Sequence, residues 1–115
     1  MLSFPLKVRV FVCTQPTDMR KSFDGLHGLV QSVLQQDPLS GDLFVFLSRR
    51  RDRVKLLMWE GDGQSIWYKR LEVGTFALPE GEGDSITLTT AQLALLLSGV
   101  DLKATRPRKR YRQVG

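Results

Sequence analysis

The sequence predicts an α+β fold: a mainly antiparallel sheet of about five strands, one longer helix, a short C-terminal helix and a disordered basic tail. Three observations carry that expectation. Short runs rich in β-branched and aromatic residues recur between turn signals. One segment, from Ser22 to Gln35, spaces its apolar residues at helical intervals. Beyond Leu102 the composition turns basic and polar.

The first run, Leu6 to Cys13, alternates Val8, Val10 and Val12 with Lys7, Arg9 and Phe11, which reads as a half-buried strand. Gln15-Pro16-Thr17 ends it, because proline has no ladder donor. Phe23, Leu26, Val30, Val33 and Leu34 then mark the helix, with Ser22 as N-cap and Asp24 in the first turn. Gly25 and Gly28 weaken that helix by about 1 kcal/mol each relative to alanine, a cost expected to be offset by close packing on the sheet.

Asp37 to Asp42 is a turn cluster. Leu43 to Ser48 and Val54 to Trp59 form the arms of an antiparallel hairpin whose tip carries Arg49, Arg50, Arg51 and Arg53. Glu60-Gly61-Asp62-Gly63 supplies a second tight turn, through its Asp-Gly step, into a strand over 65–72. Phe76 to Leu78 is expected to extend that strand. After the acidic loop 79–84, Ser85 to Leu88 reads as a short strand. Thr89 and Gln92 match a capping box, Leu93, Leu96 and Leu97 give the helix an apolar face, and Gly99 stops it. This helix is expected to pack at one end of the sheet. Residues 1–102 make one domain and 103–115 the tail.

Charge is unevenly placed. The net charge of the 115 residues is +5, yet the tail alone carries six cations and no acid, leaving residues 1–102 at −1. The basic excess belongs to the tail. With one cysteine, Cys13, no intrachain disulfide or cysteine-based metal site is expected. With one histidine, His27, acid–base chemistry has little to work with; its helical spacing from Asp24 is better explained by packing or surface position. The aspartates sit mostly in turns and caps, so no converging carboxylates for a metal-dependent nuclease are expected. No apolar run approaches a membrane span and no signal peptide is evident, so a cytoplasmic protein is expected. No catalytic group, metal or cofactor is assigned.

Nucleic-acid binding has the strongest support. Clustered cations release phosphate counterions, and a β-ribbon tip enters a DNA groove. The candidate contacts are Arg49, Arg50, Arg51, Arg53 and Lys55 of the hairpin, Lys69 and Arg70 beside Trp67 and Tyr68, and Arg106, Arg108, Lys109, Arg110 and Arg112 of the tail. A protein-interaction surface is the alternative, at Asp18-Met19-Arg20-Lys21 or at the acidic loop with Glu80, Glu82 and Asp84.

Four stretches carry a family likeness: Pro16 to Leu26, Arg49 to Leu57, Asp62-Gly63 with Trp67 to Glu72, and the leucine-rich 93–102. In that order and spacing they resemble the small accessory proteins, TnpB or Orf2, of the insertion-sequence 66 family. The resemblance implies a role in transposition beside a separate transposase, and the residues themselves offer no catalytic group for it. DNA at the element ends and that transposase are the partners it implies.

Overall fold

The computed structural model describes residues 7–78 and 81–99. Five strands form one sheet: β1 (Val10–Cys13), β2 (Leu43–Leu47), β3 (Arg53–Trp59), β4 (Gln64–Arg70) and β5 (Ser85–Leu88). Their spatial order is β4-β3-β2-β1-β5. All pairings are antiparallel except β1 with β2, where Val10, Phe11 and Val12 lie beside Leu43, Phe44 and Val45 in parallel. A parallel pair needs a crossover, and helix α1 (Phe23–Ser32) supplies it. The fold is α+β, as the sequence predicts.

Both faces of the sheet are covered, which changes the reading of β1. Val10 to Cys13 are all buried rather than half-buried. Alternate residues feed two separate cores. Val10, Val12, Leu43, Val45, Val54 and Leu56 meet Leu93 and Leu96 of helix α2 (Thr90–Ser98). Phe11, Cys13, Phe44, Phe46 and Leu57 meet Leu26, Val30 and Leu34, on and just beyond α1. The short second helix therefore covers a face of the sheet instead of capping one end. A strand buried on both sides reads as a continuous apolar run, and β2, Leu-Phe-Val-Phe-Leu, is one.

Helix α1 departs from expectation in detail. Ser22 holds the N-cap position but makes no side-chain cap bond, and Phe23 is exposed. The helix stops at Ser32, where Leu34 N–H returns to Leu29 O and Gln36 N–H to Val30 O in a widened last turn. Neither glycine admits a neighbouring backbone. A Cβ on Gly25 would meet only the Lys21 side chain, and one on Gly28 would meet nothing within 4 Å. In α2 the capping box forms, with Gln92 N–H on Thr89 Oγ1 at 3.0 Å and Thr89 N–H on Gln92 Oε1 at 2.9 Å. Gly99 closes it in the left-handed conformation.

The β3–β4 turn centres on Gly61-Asp62, with Glu60 N–H on Gly63 O at 2.8 Å and φ +94° at Gly61. Positive φ at the first central residue is the pattern in which glycine leads, so Gly61, not Gly63, is the required one. Phe76–Leu78 does not extend β4. The chain instead folds back so that Leu71 N–H meets Asp52 O and Phe76 N–H meets Arg51 O, both at 2.7 Å, with Phe76 buried.

Among the described residues no helix is long and apolar enough to cross a membrane. The tail, 103–115, lies outside them.

Candidate nucleic-acid interface

The β2–β3 tip is a tied loop. Arg51 N–H closes a turn on Ser48 O at 2.9 Å, and Ser48 N–H reaches Arg53 O at 3.0 Å. Ser48 Oγ donates to Asp52 Oδ1 and accepts from Arg53 N–H, each at 3.1 Å. With Leu71 and Phe76 bonded to its outer carbonyls, the tip is held on both sides. Arg51 has φ +58°, a conformation that non-glycine residues adopt at some cost.

Arg49, Arg50 and Arg51 are exposed and Arg53 is half-buried. Among the described residues Arg9, Arg20 and Arg70 each hold a carboxylate, of Asp42, Asp18 and Glu72 respectively. The side chains of the four tip arginines hold none. Arginines without acidic partners are thus gathered at one point.

The tip stands against the segment that follows β1. Thr17 N–H bonds Leu47 O at 2.9 Å. Thr17, Met19, Ser48, Arg49, Arg50, Asp52 and Arg53 line an open hollow of 310 Å³. Thr17 and Met19 form a wall that no local pattern in the sequence couples to the arginines, because the two segments lie far apart along the chain. Next to Met19, Arg20 donates three side-chain contacts and its backbone N–H to Asp18. Those hydrogen bonds bring the Asp18 carboxyl down from 3.8 to about 2. The pair is exposed and screened, so it shapes the segment more than it stabilises the fold.

Lys55 departs most from its expected role. It is 8% exposed, and its ammonium donates to the carbonyl oxygens of Met19 at 2.8 Å and Lys21 at 2.7 Å. It also lies 4.7 Å from the centre of the Tyr68 ring. Lys55 is a strut that ties the 19–21 segment to the sheet, and its charge is unavailable to a phosphate outside. A lysine in the run Val54-Lys55-Leu56-Leu57 signals this only once β3 is known to be buried on both faces.

Lys69 and Arg70 are consecutive at the end of β4, and their side chains leave on opposite faces of the strand. Arg70 lies opposite Arg53 in register, and Lys69 opposite Val54. Tyr68 is 48% exposed on the Arg70 face, while Trp67 packs against the core beneath α2. Both Lys69 and Arg70 line a separate hollow with Leu71, Glu72, Val73, Leu97 and Ser98. His27 Nδ1 sits 2.8 Å from Gln64 Nε2, a contact that ties α1 to β4. Arg106, Arg108, Lys109, Arg110 and Arg112 lie outside the described residues.

The family model described as IS66 Orf2 like protein matches residues 8–107. The uncharacterized protein y4hO of Sinorhizobium fredii is 41% identical over 115 residues, covering 100% of both chains. The uncharacterized protein y4jC of the same strain is 38% identical over 94 residues, 82% of this chain and 80% of the relative. No solved structure matches significantly.

Proposed function

Because the chain belongs to the IS66 Orf2-like family, which points to insertion-sequence transposition, we propose that it is a non-catalytic accessory that binds DNA at the element ends. The observation that carries this reading is the segregation of arginines. Those elsewhere among the described residues are paired with acids, whereas Arg49, Arg50, Arg51 and Arg53 share one hairpin tip without a carboxylate partner. Unpaired guanidiniums bind phosphate through parallel N–H donors and release its counterions. A tip tied by backbone bonds presents them from an ordered loop, so the backbone adds little to the cost of binding. Register supports the same reading. Arg70, opposite Arg53 on β4, brings a further guanidinium beside the tip, its own charge held in part by Glu72 at 3.3 Å.

The tail, 103–115, adds six further cations to the chain. Lys55 is not part of this surface.

The test is binding of a labelled terminal-repeat duplex and a scrambled duplex across a salt titration. Wild type is expected to bind with affinity that falls steeply as salt rises. Arg49→Ala/Arg50→Ala is expected to weaken binding and flatten that slope by about 2. Deletion of 103–115 is expected to flatten it further. Folded protein that binds neither duplex would overturn the reading and leave a transposase-contact role in its place.

A further inference from the structure

We propose that the hollow between the Thr17–Met19 segment and the arginine tip is a seat for a single DNA backbone phosphate, which fixes the register of the bound strand. The inference rests on the DNA-binding reading above and adds to it a defined point of grip.

The hollow is built before any ligand arrives. One wall is held by Thr17 N–H on Leu47 O at 2.9 Å and by Lys55 Nζ on Met19 O at 2.8 Å. The other is held by Arg51 N–H on Ser48 O at 2.9 Å and by the Ser48–Asp52 bond at 3.1 Å. Its 310 Å³ leaves room for a phosphate and its adjoining sugar.

Its lining charge is positive. Arg49, Arg50 and Arg53 contribute three guanidiniums without acidic partners, against one carboxylate, Asp52, whose Oδ1 accepts the Ser48 hydroxyl. A tetrahedral anion offers several oxygen acceptors to neighbouring guanidiniums and offsets this local excess of positive charge. Diffuse tip charge alone would attract DNA but would not require the Thr17–Met19 wall.

Asp52 gives the proposal a variant of opposite sign. Asp52→Asn keeps an acceptor for the Ser48 hydroxyl while removing the negative charge. The full chain, labelled with nitrogen-15, is titrated with inorganic phosphate against chloride at matched ionic strength, and then with a short duplex. Amide shifts are expected to concentrate at Thr17, Met19, Ser48 and Arg53 with both ligands. Asp52→Asn is expected to tighten phosphate binding about threefold, and Arg50→Ala to weaken it about tenfold.

Duplex binding that leaves these amides unmoved would overturn the seat while the DNA-binding reading stands. Phosphate shifts at these amides without duplex binding would uphold an anion seat served by a free phosphate or phosphate ester and remove the DNA reading. Phosphate shifts indifferent to both substitutions would refute the seat.

Discussion

Replacing Lys55 with methionine separates a structural lysine from a DNA-contacting one. The substitution keeps an unbranched chain in β3 and deletes the ammonium that holds Met19 O at 2.8 Å and Lys21 O at 2.7 Å. Two hydrogen bonds from a charged donor contribute about 1.5–3 kcal/mol each, and relief from burying the charge returns part of that. The expected net loss is about 2–4 kcal/mol, on the order of 10–20 °C in melting temperature for a chain of this size. Urea unfolding measures the loss. Tryptic cleavage after Arg20 and Lys21 reports whether the segment comes away from the sheet. Cleavage there should accelerate in native buffer. Stability within about 0.5 kcal/mol of wild type, with a lower duplex affinity and a smaller salt slope, would refute the strut and return Lys55 to the binding surface.

The other predictions concern the scaffold. Asp42 is buried and accepts hydrogen bonds from the Arg9 backbone at 3.1 Å, the Arg9 guanidinium at 2.8 Å and Ser40 at 3.0 Å. Burial by itself would raise its carboxyl pKa, but these partners outweigh burial and leave it below 3.8. Since the folded value is the lower one, its stabilisation is present above pH 3.8 and is lost as pH falls through the folded value. Asp42→Asn should cost about 1–2 kcal/mol at neutral pH, discounted for the exposure of Arg9, and the gap from wild type should close in acid unfolding curves. Gly28→Ala should stabilise the protein by about 0.5–1 kcal/mol in urea unfolding, because a Cβ there meets nothing within 4 Å. Gly61→Ala should destabilise it by about 1 kcal/mol or more in the same assay, since φ is +94° there.

How much was legible in the sequence follows the range of the forces involved. Capping at Thr89–Gln92, the stop at Gly99, the Arg-tipped hairpin and the turn near Gly61 depend on residues a few positions apart, so local pattern is enough to find them. The family likeness was legible for the same reason: its stretches are contiguous. Ser22 shows the limit of local inference, since it stands at the N-cap and its hydroxyl caps nothing.

The sequence by itself determined the fold class, the strand-rich order of elements and the placing of arginines at a hairpin tip, because alternation, capping and turn chemistry act between near neighbours. Only the tertiary structure decided what those elements face. Covering both sides of the sheet turned β1 and β3 into interior strands, and that made Lys55 a buried strut instead of a surface cation. The parallel placing of β1 beside β2 brought Thr17 to Leu47 and so set the Thr17–Met19 wall against the arginines. Strand pairing joins residues by distance in space and not along the chain, and a hollow formed between two such segments has no signature in either one.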